Sequence, residues 1–150
     1  MKTEPDVFSL EDLVRRPQQS ELWDGVRNYQ ARNFMLNDMK VGDLILFYHS
    51  NADPSGIAGV AEIVAPAQPD PSAWDSKSEY FDAKSTPGNP RWFCVTVGRP
   101  KPFRRFVALD ELRQHAELKD MLVLRKGQRL SIQPVQPSEF EFVVTLGMKS

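Results

Sequence analysis

A chain of 150 residues, 41% hydrophobic and 26% charged, holds enough apolar material for one domain with a true core spanning 1–150. No apolar run approaches the roughly 18 residues of a membrane helix, and the N-terminus lacks a signal peptide's apolar stretch, so no membrane partner is expected. The formal net charge of -1 argues against tight non-specific coating of DNA, which needs many phosphate contacts.

At the start, Lys2-Thr3-Glu4-Pro5 would enter a cleft if the N-terminus joins a sheet. After Phe8, Ser9-Leu10-Glu11-Asp12 places an acid three residues after a serine, a capping signal for a short helix stopping before Pro17. Trp23 to Phe34 then concentrates aromatic rings (Trp23, Tyr29), guanidinium groups (Arg27, Arg32) and side-chain amides (Asn28, Gln30, Asn33), with Asp24 as its one acid. Rings stack, amides read donor and acceptor patterns, and arginines accept phosphate, so the set suits a flat polar ring on a charged backbone. Trp23 beside Asp24-Gly25 is either a stacking platform or a core plug. Asn28 and Asn33 either present amides to a base edge or cap a helix.

The apolar spacing from Arg27 to Met39 is helical rather than extended. Gly42-Asp43 turns into Leu44-Ile45-Leu46-Phe47-Tyr48, a core-strand run, and Tyr48-His49-Ser50-Asn51 closes it with hydrogen-bonding side chains. Ile57 to Val64 reads as the next strand, and Ala65 to Pro90 as a long surface loop with a turn of helix near Trp74. Trp92 to Gly98 and Phe103 to Val107 read as two further strands, Leu109 to Leu118 as a short helix and Leu130 to Val135 as a strand. Pro137-Ser138-Glu139 opens a final helix with Phe140, Val143, Val144 and Leu146 inward.

Charge is uneven along the chain: residues 1–83 carry 7 Lys/Arg against 14 Asp/Glu, and residues 84–150 carry 12 against 6. A basic face on an acidic body is compatible with a localised nucleic-acid site. Leu124-Arg125-Lys126-Gly127-Gln128-Arg129-Leu130-Ser131 clusters three bases about a glycine, either a phosphate cradle or a plain basic turn.

Five or so short strands with inserted helices predict an α+β fold, a small, highly curved sheet or barrel with flanking helices. No glycine-rich phosphate loop is present, and His49 has no second histidine or cysteine at ligand spacing, so no cofactor or metal is expected. Ser50 lacks a nucleophile elbow, and no residue is assigned a catalytic role. The lone Cys94, set in an apolar run, reads as a buried structural thiol and points to a reducing, cytoplasmic compartment.

Several long motifs in fixed order carry a resemblance across the whole chain. They are Lys2-Thr3-Glu4-Pro5, Trp23 to Phe34, Gly42-Asp43, Phe47 to Asn51, Asn89-Pro90-Arg91-Trp92 and Leu124 to Pro134. The chain resembles EVE-domain proteins, although Thr3 stands where serine is commoner and Met1 directly precedes Lys2. The resemblance implies a PUA-like curved β-barrel with flanking helices, related to domains that hold a modified base in a polar and aromatic pocket. It implies a non-catalytic reader of a flipped modified base, above all a modified cytosine such as 5-methylcytosine, in DNA or RNA. By that resemblance the base-binding residues are Lys2, Thr3, Glu4, Trp23, Val26, Asn28, Ser50, Leu124 and Arg125. Arg27, Arg32, Lys126 and Arg129 serve as phosphate contacts or pocket supports. Any downstream action such as cleavage then needs a separate effector protein. The rival readings are a nucleotide-directed enzyme using Asp24, Glu4 or His49, and a structural module with its aromatics in the core.

Overall fold

The computed structural model describes residues 1–127 and 130–149. Its strands are β1 (Lys2–Thr3), β2 (Ser20–Leu22), β3 (Leu44–His49), β4 (Gly56–Pro69) and β5 (Phe93–Ala108). Its α-helices are α1 (Leu10–Arg15), α2 (Tyr29–Asn33), α3 (Leu109–Leu112) and α4 (Pro137–Met148). The strands form one mixed sheet in the order β1-β3-β4-β5-β2, with β1 parallel to β3 and the other pairs antiparallel.

This sheet is open, which corrects the expected β-barrel while leaving the α+β class and the flanking helices in place. Closure needs the two edges to pair, but β1 and β2 are two and three residues long and stand at opposite ends of the order. The segment Leu130 to Val135, expected as a strand, is not one. It touches β1 through the Lys2 N–H, which donates to the Ser131 carbonyl at 2.8 Å. Pro134 has no N–H with which to continue such a ladder.

β3 explains why its sequence is apolar without alternation. Ile45 and Phe47 enter one core cluster, with Leu13, Trp23, Met35 and Val95. Leu46 and Tyr48 enter a second, with Ile57, Leu112, Val143 and Leu146. A strand buried on both faces reads as a continuous hydrophobic run. α1 has the expected capping box: Asp12 N–H donates to Ser9 Oγ at 3.1 Å, and Ser9 N–H to Asp12 Oδ2 at 2.8 Å. α4 lies against β5, and a Cβ at Gly147 would stand 2.2 Å from the Phe103 ring, so only glycine permits this approach.

Two further expectations change. β4 runs on to Pro69, so the long loop begins later than Ala65, and its turn of 3-10 helix covers Pro71–Trp74. The two strands expected between Trp92 and Val107 are one strand, β5, in which Arg99 takes a φ of 49° and the register against β4 shifts between Val60 and Glu62. That bulge lets Pro100 and Pro102 sit inside a strand. Cys94 is buried, and burial first, then the nearby charges of Asp70 and Asp24, push its thiol up to about 12. It is an inert core thiol.

Candidate functional site

A cleft of about 730 Å³ opens where β1, β2 and the segment Trp23 to Arg27 meet. That volume is within the usual span for small-ligand sites. Six of the nine expected base-binding residues line it: Lys2, Thr3, Glu4, Trp23, Val26 and Ser50. Their convergence follows from the sheet. Lys2 and Thr3 pair with Tyr48 and His49, and Ser50 N–H donates to the Thr3 carbonyl at 2.9 Å. Trp23 is tied on by its N–H to the Val95 carbonyl, which extends the β2–β5 pairing by one residue.

The other three are placed elsewhere. Asn28 is the N-cap of α2, its Oδ1 accepting from Ala31 N–H at 3.0 Å. Leu124 ends a 3-10 turn and packs on the second core cluster, and Arg125 follows it, exposed. Lys126 is exposed beside Arg125, and Arg129 lies outside the described residues.

Trp23 turns out to be core and wall at once. It is 8% exposed and packs edge-on against Phe8 and Phe47, at centroid distances of 6.4 and 5.5 Å. Thr3 Oγ1 donates to the Phe8 carbonyl at 3.0 Å, and Glu4 accepts from Asn51 Nδ2 at 3.1 Å. These bonds orient the rim from behind.

Arg27 and Arg32 are struts of the wall. Asp70, fully buried, accepts from Arg27 Nη1 at 3.0 Å and from Gly25 N–H at 2.9 Å on one oxygen. Its other oxygen accepts from the Ser72 hydroxyl and N–H. Burial alone would raise the Asp70 pKa, but these donors from Ser72, Gly25 and Arg27 together hold it below the usual carboxylate range. Arg27 also donates to the Tyr80 carbonyl, and its guanidinium lies 5.7 Å from the Tyr80 ring centroid and 5.3 Å from that of Trp92. Trp92 stacks on Tyr29 at 4.8 Å, and Arg32 lies 4.7 Å from the Tyr29 centroid while donating to the Arg91 carbonyl. Each guanidinium thus lies over a ring, with the Tyr29–Trp92 stack between Arg32 and Arg27, a favourable electrostatic arrangement.

Tyr80, Glu79, Phe8, Arg16 and Glu21 also line the cleft and were missed in the sequence. Tyr80 had one legible signal, Gly25. That glycine has a φ of 79°, and a Cβ on it would stand 2.6 Å from the Tyr80 ring. The described lining holds three cations (Lys2, Arg16, Arg27) against four carboxylates (Glu4, Glu21, Asp24, Glu79), a balance suited to a neutral ring rather than a phosphate. The excess of basic residues after Lys84 is partly neutralised as well, since Arg91, Arg99 and Arg105 pair with Asp82, Glu62 and Glu111.

His49 is a structural acceptor: Leu10 N–H donates to its Nε2 at 3.2 Å. Burial first lowers its pKa, against the pull of Asp12 and Glu11. Between this lowered value and the unfolded pKa of about 6.5 the unfolded chain binds more protons, so stability rises with pH there and is lost as pH falls through the folded value. The urea midpoint of the wild type is therefore expected to drop below neutral pH. His49→Gln, which keeps an acceptor without a titrating ring, should flatten that slope. An unchanged slope would assign the titration to another group.

An open mixed sheet, flanking helices and a cleft walled by aromatic and polar groups define a small α+β ligand-binding domain. The chain belongs to the EVE domain family, whose model matches residues 1–146. It is 42% identical over 166 residues to human thymocyte nuclear protein 1, covering 99% of this chain and 73% of that protein. It is 44% identical to the chicken thymocyte nuclear protein 1 over 147 residues, where 93% of this chain spans 60% of the relative. Among solved structures, a protein from Pseudomonas putida superposes with a TM-score of 0.91 at 46% identity, covering 97% of this chain and 96% of that one. Human THYN1 protein in complex with 5-methylcytosine containing DNA superposes with a TM-score of 0.92 at 42% identity, covering 100% and 96%.

Proposed function

We propose that this chain is a non-catalytic reader that takes a modified cytosine of DNA into the cleft walled by Trp23, Val26 and Tyr80. The observation that carries the reading is the likeness, over 100% of this chain and 96% of that one, to the human THYN1 chain solved in complex with 5-methylcytosine containing DNA. The cleft supports it independently, because its charge balance favours a neutral ring and its walls combine aromatic faces with polar edges. Extruding a paired base costs a few kcal/mol, and stacking at about 1–3 kcal/mol per base with hydrogen bonds offsets that cost. Lys2, Thr3, Glu4 and Ser50 form the polar rim, Asn28 and Leu124 brace the elements behind it, and Arg27 and Arg32 support the wall. Arg125, Lys126 and Arg129 hold flanking phosphates, which sets position without sequence information.

The test is binding of matched single- and double-stranded oligonucleotides, as DNA and as RNA, with cytosine plain, methylated or hydroxymethylated, at fixed salt. Tighter binding of DNA carrying one modified cytosine is expected. A preference for the RNA series would make the chain an RNA-modification reader, and uniform affinity across all bases would sink the reading. Arg125→Ala should weaken binding across all sequences and reduce the salt slope by about one.

A further inference from the structure

We propose that Asp24 selects the base in this cleft, its carboxylate accepting a hydrogen bond from the exocyclic amino group of an amino-pyrimidine. The proposal rests on the reader function above and names the group that would tell cytosine from thymine or uracil.

Asp24 is held on both sides. The Trp23 N–H before it donates to the Val95 carbonyl at 2.9 Å, and the Gly25 N–H after it donates to Asp70 Oδ2 at 2.9 Å. Its backbone is therefore fixed while its side chain lines the open cleft. The neighbouring charged groups already have protein partners. Arg16 pairs with Glu21, Arg27 with Asp70, Glu4 accepts from Asn51, and Glu79 interacts with the Tyr80 side chain. Among the described residues the Asp24 carboxylate has no salt-bridge partner, and the one donor facing it is its own N–H.

Its surroundings are short of positive charge. Burial first, then Asp70 and Glu21, raise its pKa, and its own N–H and Arg27 only partly oppose them. Asp24 is exposed, so its carboxylate oxygens are open to a donor on a ligand entering the cleft. Cytosine carries an amino donor at C4, where thymine carries a carbonyl acceptor. A carboxylate oxygen attracts the first and repels the second. Hydrophobic contact with a 5-methyl group does not distinguish the two, because 5-methylcytosine and thymine share it.

That shared methyl makes the test clean. Single-stranded DNA oligonucleotides identical except for cytosine, 5-methylcytosine or thymine at one position are titrated against wild type and Asp24→Asn. Thermal unfolding confirms that the variant is folded. Wild type is expected to favour 5-methylcytosine over thymine at least tenfold. Asp24→Asn, whose amide also offers a donor, is expected to lose at least tenfold for 5-methylcytosine with thymine unchanged or improved, so the ratio collapses. A folded Asp24→Asn that keeps the ratio overturns the proposal, as does a wild type indifferent to cytosine against thymine. If wild type treats plain and methylated cytosine alike yet Asp24→Asn still abolishes rejection of thymine, the modification reading falls and the role of Asp24 stands.

Discussion

Trp23→Ala is expected to destabilise the fold by about 3–5 kcal/mol, the usual cost of emptying a large aromatic site in a core. The ring is 8% exposed and fills the space between Phe8 and Phe47, two residues that cannot close the gap without moving α1 or β3. For a domain of this size each kcal/mol shifts the melting temperature by roughly 2–4 °C, so a fall of about 10 °C is expected in thermal unfolding. Ligand binding should fail in the same variant, because the ring is also a wall of the cleft. Loss of binding alone, which a freely exposed stacking platform would show, is therefore not the expected pattern. Trp23→Phe separates the two roles: it keeps most of the packing and should fold, while the smaller ring shortens the wall. Full stability in Trp23→Ala would show that the core closes over the gap.

Asp70→Asn should cost a similar amount, about 3–5 kcal/mol, since breaking one side of a buried ion pair leaves the other charge uncompensated. Asp70 is 0% exposed and receives donors from Gly25, Arg27 and Ser72, while the Arg27 side chain retains 23% exposure. Arg27→Met, which leaves the fully buried Asp70 carboxylate without its counter-charge, should therefore cost at least as much as Asp70→Asn, which leaves a partly solvated guanidinium. The double variant should be less destabilised than the two single effects added, by a coupling that urea unfolding of all four proteins measures. The pH dependence carries a second signature. Because the folded Asp70 pKa lies below its unfolded value, its contribution is present above about pH 3.9 and is lost as pH falls through the folded value. Asp70→Asn should lack that acid limb. Strict additivity in the cycle would mean that the hydrogen bonds to Gly25 and Ser72, and not the ion pair, give Asp70 its weight.

Much of the fold was legible because it is written in local pattern. The Ser9–Asp12 capping box, the apolar run of β3 and the opening of α4 at Pro137 each depend on neighbouring residues. Where the pattern was ambiguous, tertiary context decided. Pro100 and Pro102 look like a strand break, but a bulge at Arg99 absorbs them within β5. Leu130 to Val135 alternates like a strand, yet the alternation records only that Ile132 is buried while Pro134 and Val135 are exposed. The barrel was expected from the number of short strands and from the resemblance, and this segment removes one of those strands.

The site divided along the same line. Motif residues on the sheet and on the Trp23 turn converge, because strand pairing puts them there. Asp70 left no signal and Tyr80 only the glycine at position 25, because both sit in a Pro-, Asp- and Ser-rich stretch with no period, and their partners are far away in sequence. The hydrogen bonds from Arg27 to Asp70 and to Tyr80 span 43 and 53 residues.

That separation has a consequence during synthesis. The bond from Arg32 to the Arg91 carbonyl spans 59 residues, so the Trp23 to Phe34 segment leaves the ribosome well before its bracing exists. At about 5–20 residues per second the wait is roughly 3–12 s. For that time a run of aromatic and cationic side chains stands uncovered, a natural handle for chaperones and a point where shortening the interval between Arg32 and Arg91 would raise the yield of native protein.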